Sequence, residues 1–475
     1  MTDSATDTVE LTGELLALAA VELDDDVLLR FEGPDTVLPS SYRVTDAAAA
    51  LVAAVSVAVA RLATVRSPER IHQSMPAVTV DRVEACAAFQ SERHFRLEEE
   101  PTLWDELSGH YETNDGHVQF HTNFEHHRSA MLQALGCRED AVRADVAAVV
   151  AERGRFEMEQ AVSEAGGIAA ALRTSAEWAQ HPHAAHVAGR APLAVAAVDT
   201  SSTGHGGAGE LPSARVDRPL LGVRVLDLTR VIAGPVCTRT LAAYGAHVLR
   251  IGAERLPVAD SILPDTTLGK RFAHCDITTA EGRDTLLGLV SEADVIVSGF
   301  RPGALAARGL DTDDLLTANP NLVIARLSAF GADGPWGGRR GFDSITQTAT
   351  GVVATETAAF GADRPRPLPC QLLDHGSGYL LSLGVLSALL GRHLRGGARL
   401  VDVSLLTTCN WVASLGPADP SSGSPLSDDD VARYRQQRPS PFGPLRHMRH
   451  PGRIDGIPAR WDRGPTRPGA DKPRW

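Results

Sequence analysis

Between residues 223 and 330 the chain alternates short apolar runs with helical stretches, and this alternation limits the fold more than any other feature. VRVLDL (Val223–Leu228), HVLRI (His247–Ile251), FAHCDI (Phe272–Ile277), DVIVSGF (Asp294–Phe300) and NLVIARLSAF (Asn321–Phe330) read as strands, with helices over Pro235–Tyr244 and Ala280–Ser291. Nearly continuous Val/Ile/Leu runs suit strands buried on both faces, and intervening helices supply the crossovers that parallel strands need. The predicted class is therefore α/β, with a doubly wound parallel sheet. The turn after the first strand reads LTRVIAGP and not GxGxxG, so the dinucleotide site common in such sheets is not expected.

At 475 residues, more than one unit is expected. Residues 1–198 look α+β: an Ala/Val-rich buried helix around Ala47–Ala60, a hairpin-like stretch (Tyr111–Asn123), and helices over His126–Leu135, Glu139–Arg153 and Phe156–Ala165. Residues 199–219, rich in Gly, Ser and Pro, read as a linker to a sheet domain at 220–415. The Pro/Arg-rich stretch 416–475 reads as a strap or as disorder, and Phe442, Leu445, Trp461 and Trp475 favour the strap. An internal echo links the halves. Thr45–Leu62 and Leu373–Arg392 each pair an Asp with a small-residue helix, followed by a Val-Asp strand start at Val80 and Val401.

The net charge of −13 argues against a general nucleic-acid binder, while leaving room for a small phosphorylated ligand on a few local Arg residues. The six cysteines are scattered without a CxxC pair, which fits a reducing cytosol. The acidic start, MTDSATDTVE, lacks the pattern of a signal peptide, so a cytoplasmic protein without membrane contact is expected. Two histidine clusters, His121–His127 and His181–His186, lack the Cys or carboxylate pattern of a metal site, and no metal is predicted.

Five blocks in order carry a resemblance: Gly222–Ile251, Leu268–Leu305, Gly331–Asp343, Leu372–Arg392 and Gly396–Leu406. Together they resemble the class III CoA-transferases and the 2-methylacyl-CoA racemases of the same superfamily. The first half resembles the later portion of that family: its small domain, and near Glu164–Pro182 its helical continuation. The chain thus looks like a permuted or fused double. The resemblance implies a Rossmann-like CoA-binding domain, acyl-CoA and a carboxylic acid as substrates, and a homodimer, or here a pseudo-dimeric monomer.

It also implies roles. Asp374, placed immediately before a helical run whose dipole favours its anionic form, is expected to attack the thioester, the alternative being a plain N-cap. Gly376 and Gly378 are expected to let backbone N–H groups approach the reacting carbonyl. Asp343 is read either as orienting the acyl group or as a helix cap, and Asp46, the echo of Asp374, as a structural cap. Val231, Ile232 and Ala233 are assigned to the CoA nucleotide, Phe300 to adenine, and Arg340 to the pantetheine–phosphate path. Arg230, Lys270, Arg271, Arg301 and Arg339 are further phosphate candidates, each read alternatively, and by preference, as a solvated or structural charge. Where the racemase branch has His, this chain has Phe342, which cannot exchange protons, and that favours the transferase. His375 follows Asp374 but points about 100° away from it on a helix. The alternatives are a racemase, a non-catalytic acyl-CoA-binding protein and a structural protein.

Overall fold

The computed structural model describes residues 3–23, 27–67, 75–198, 211 and 214–475, so most of the expected linker lies outside the described residues. A seven-stranded sheet runs in the order Leu193–Ala197, Arg399–Ser404, Val323–Ser328, Val295–Ser298, Arg224–Leu228, His247–Gly252 and Lys270–His274. All neighbours are parallel except Leu193–Ala197, which pairs antiparallel with Arg399–Ser404. The doubly wound α/β sheet is as the apolar runs predict. The edge strand corrects the expected seam, because the end of the 1–198 region completes the sheet of the following region and saves Arg399–Ser404 from an open edge.

One face of the sheet is covered by the helix Leu372–Arg395. Its last turn carries Arg392, His393 and Arg395 against the negative end of the helix, and it stops at Gly396, whose φ of 71° is open to glycine. Two further helices pack on it, Ala233–Ala243 and Val44–Arg66. Val44–Arg66 is long and apolar enough to cross a membrane, but 83% of its most apolar window is buried within the protein. The echoing helices therefore lie side by side. Val44–Arg66 links two parallel strands of its own, Leu29–Glu32 and Val78–Asp81.

A second small sheet, Gly109–Thr113, Gly116–Phe120 and Ala169–Ala171, carries helices Glu125–Leu135, Arg143–Ala151 and Arg155–Glu164 around a separate core that includes Phe120, Met131, Val146 and Met158. Residues 416–475 form the strap. Its strand Arg453–Ile454 pairs with Val78–Asp81, and the indole N–H groups of Trp461 and Trp475 donate to the carbonyls of Arg239 and Leu289.

Candidate active site

Asp374 lies inside the first turn of helix Leu372–Arg395, not ahead of it, and the capping position is Gln371. Its side chain lines two cavities at once. One is an open cleft of about 520 Å³ at the carboxyl ends of the strands, and the other is a chamber of about 60 Å³ on the opposite side. Phe124, Val231, Ile232 and Phe342 also line both and form the partition. A larger cavity, about 740 Å³, adjoins the cleft near Phe300–Pro302 but does not reach Asp374, so size alone does not locate the chemistry.

Asp343 holds the start of the Asp374 helix in place. It begins the helix Asp343–Ala349, whose N-cap is Phe342, so it does not cap its own helix. Its Oδ2 instead accepts the backbone N–H of Asp374 at 2.9 Å, while Gln347 donates to its Oδ1. A carboxylate from one helix thus satisfies a free N–H at the start of another. Asp343 is 1% exposed and Asp374 8%. Burial lifts the Asp343 carboxyl to about 6 against the hydrogen bonds of Asp374, Gln347 and Leu373, and the charge of Glu92 adds to the rise. Burial, then Asp343 and Glu92, push Asp374 well above the ordinary carboxylate range. The expectation that the helix start favours the anion is therefore reversed: desolvation and two neighbouring acids outweigh the dipole.

Gly376 and Gly378 do not face the reacting position. A Cβ on Gly378 would sit 2.6 Å from the carbonyl oxygen of Ala233, and one on Gly376 would sit 3.2 Å from Thr408 Cγ2. They permit close helix packing instead of forming an oxyanion site. Gly378→Ala should therefore cost about 1–3 kcal/mol in a urea melt, because a backbone carbonyl has little room to yield.

The expected CoA contacts divide in the same way. Val231, Ile232, Ala233, Phe300, Arg301 and Arg340 all line the cleft, as does Arg230. Arg340 donates to the Gly166 carbonyl with one nitrogen. Arg339 also lines the cleft but is engaged by Glu159 at 3.0 Å and by the Ala169 carbonyl, tying the small sheet to the 331–343 segment. Lys270 is a correction. It is 0% exposed, 2.9 Å from Asp227, and donates to the Pro235 carbonyl, because its strand position points it into the interior. Arg271 is another: it sits on the sheet's edge strand among charges of the strap, Asp471 and Arg463, and does not line the cleft.

Asp46 lies in the first turn of its helix, paired with Arg43 at 2.8 Å and accepting from Thr8. Among the described residues no group of three His, Cys, Asp or Glu is arranged to hold a metal ion. The first histidine cluster has a different place. His121 stacks on Phe342 with ring centroids 3.9 Å apart and lines the chamber, and burial takes it down to about 4, leaving it neutral at pH 7. His126 and His127 line the cleft.

Sequence reasoning missed Glu92, Arg93 and Trp104 in the chamber and Arg255 in the cleft. A lone SER or TLW tripeptide carries no pattern that could have marked them. His375 is buried with Nε2 2.9 Å from Glu92 Oε2, turned away from the cleft.

With this geometry in view, comparison with known proteins finds CoA-transferase family III over residues 220–428. A Mycobacterium tuberculosis protein named "Probable fatty acyl-CoA transferase Rv3272" is 36% identical over 209 residues, covering 41% of this chain and 52% of that protein. The formyl-CoA:oxalate CoA-transferase of Escherichia coli O6:H1 is 33% identical over 201 residues, covering 39% and 47%. A crystal structure of Rv3272 aligns at 36% identity with a TM-score of 0.38, covering 42% of this chain and 58% of that one. The chain spans about half the length of these curated relatives. The family match runs through the Val231–Ala233 turn, Phe300, Asp343 and Asp374, and over this segment the chain is similar to CoA-transferase family III.

Proposed function

We propose that the protein is an acyl-CoA:carboxylate CoA-transferase that works through Asp374. The observation that carries this reading is the position of one buried carboxyl on the partition between an arginine-bordered cleft and a small chamber. The cleft suits the nucleotide and pantetheine arm of CoA, with Arg230, Arg301 and Arg340 toward its phosphates. The chamber, walled by Trp104, Ile262 and Phe342, suits the acyl group.

Ionised Asp374 attacks the thioester carbonyl; the new C–O bond forms as the C–S bond breaks, giving a mixed anhydride and free CoA thiolate. The thiolate then attacks the aspartyl carbonyl, releasing the donor's carboxylate and leaving an aspartyl–CoA thioester. The acceptor carboxylate reverses both steps and leaves as a new acyl-CoA. Asp343 fixes the backbone of the attacking residue throughout. Both walls come from one chain, as a pseudo-dimeric monomer would require.

Incubation with a panel of acyl-CoA donors, followed by mass spectrometry, tests the assignment. An acyl or CoA adduct on the peptide carrying Asp374, removed by hydroxylamine, is expected, and an unmodified peptide across the panel would count against it. Arg301→Ala and Arg340→Ala should each raise KM for acyl-CoA about tenfold, the loss of roughly one charge-assisted hydrogen bond, with little change in kcat. A second reading has one observation in its favour: neutral His121 lines the same chamber, where an epimerase needs a base. Exchange of the acyl-CoA α-proton with deuterated solvent, lost in His121→Ala, would move the assignment there.

A further inference from the structure

We propose that Glu92, held by His375, is a positioning residue whose fixed negative charge at the chamber wall raises the pH at which Asp374 becomes available as a nucleophile. The inference rests on the role of Asp374 proposed above.

Glu92 comes from the short helix Ser91–His94, far from the family segment. Its Oε2 is held 2.9 Å from His375 Nε2, and the two side chains are 5% and 0% exposed. His375 is fixed in turn beside Phe89, whose ring stacks on Tyr379 at 5.2 Å. A buried Glu–His pair by itself is a structural tie. Two observations take this one further. Glu92 lines the same chamber as Asp343 and Asp374. Its second oxygen, Oε1, has no hydrogen-bond partner and only the Arg93 guanidinium nearby, at 3.3 Å. One oxygen is anchored on His375, and the other lacks a hydrogen bond and pairs with Arg93 at the chamber wall.

The charges around Asp374 come from several elements. The segment after Phe342 supplies Asp343, the Ser91–His94 helix supplies Glu92 and Arg93, and the strand end supplies His121, which burial keeps neutral. Its own helix supplies His375, turned toward Glu92. On the cleft side stand Arg230, Arg339, Arg340, His126 and His127. Burial works to raise the Glu92 carboxyl, but His375 and Arg93 hold it below its ordinary range, so Glu92 is ionised when Asp374 titrates. Its charge opposes loss of the Asp374 proton, and removing it must let Asp374 ionise at lower pH.

The test is the pH profile of kcat/KM for the full chain and for Glu92→Gln, which keeps a hydrogen-bonding group for His375 and removes the charge. The acid limb is expected to move about one pH unit lower. At one unit below the wild-type midpoint, kcat/KM relative to its plateau should then be about fivefold higher than in the wild type. Labelling of the Asp374 peptide by a water-soluble carbodiimide, which needs the protonated acid, gives the same midpoint without turnover. A shifted labelling midpoint in a protein with no transfer activity would remove the transferase reading and keep the coupling. A limb and a labelling midpoint both unmoved in Glu92→Gln would overturn it, leaving Glu92 a structural tie. Where Glu92→Gln does not fold, Glu92→Asp serves: it keeps a carboxylate beside His375, so the midpoint should stay close to that of the wild type, and a fall of about one unit would refute the proposal.

Discussion

Asp374→Ala is expected to lower the rate of CoA transfer by about 10⁴-fold or more, because no other group on the partition can carry the covalent step. Binding should survive. Asp374 is one lining residue among many in the cleft, and the arginines toward the CoA phosphates are untouched. Isothermal titration with a non-reactive thioether analogue of acyl-CoA should therefore give a Kd close to that of the wild type, while no adduct forms on the active-site peptide. The pH dependence carries the same signature. Attack needs the carboxylate, and burial with Asp343 and Glu92 holds the proton on Asp374 well above the usual range. Activity should thus rise with pH through a limb set higher than that of an exposed aspartate, and fall as the pH drops and the proton returns. A variant that keeps wild-type turnover without the carboxyl would end the covalent assignment.

Lys270→Met should cost roughly 3–5 kcal/mol of stability and leave KM for acyl-CoA close to its wild-type value. Lys270 and Asp227 are both 0% exposed and 2.9 Å apart, and the Thr238 hydroxyl also donates to Asp227. Burial pulls the Lys270 ammonium down to about 8 even with Asp227 beside it. Removing the cation strands a carboxylate that has no route to water, and that uncompensated charge is the main part of the penalty. Urea unfolding followed by circular dichroism measures the loss. A variant of normal stability with a strongly raised KM would instead restore Lys270 to the phosphate site that its neighbourhood in the sequence suggested.

The alternating strands and helices were legible because a parallel sheet demands apolar runs of a recognisable length, and a strand or helix forms close to where each was read. The turn at Val231–Ala233, Phe300, Arg340, Asp343 and Asp374 were legible for a second reason: they sit in contiguous blocks whose order resembles one family. Lys270 shows the limit of that reasoning. The resemblance makes both Lys270 and Arg271 phosphate candidates, yet the alternation of side chains along the strand buries Lys270 and leaves Arg271 half-buried on the other face. Gly376 and Gly378 mislead likewise, since small residues after an aspartate suit an oxyanion site and a helix crossing equally well. The crossing with Ala233–Ala243 decides it for Gly378, and the contact with Thr408 of helix Leu405–Ser414 for Gly376.

By itself the sequence determined the α/β sheet, the helix that carries Asp374 and the loops that border the cleft, since these depend on local periodicity and contiguous motifs. Only the tertiary structure decided that Glu92, Trp104 and His121 from the first half close the chamber against Asp374. It also decided that Asp343 accepts from the start of the Asp374 helix and does not cap its own. It decided, too, that burial and two neighbouring acids push the Asp374 carboxyl above the ordinary range, where the helix start alone would favour the anion. The physical reason is common to all three. Desolvation and charge coupling depend on which distant segments meet around a group, and no stretch of neighbouring residues contains that information.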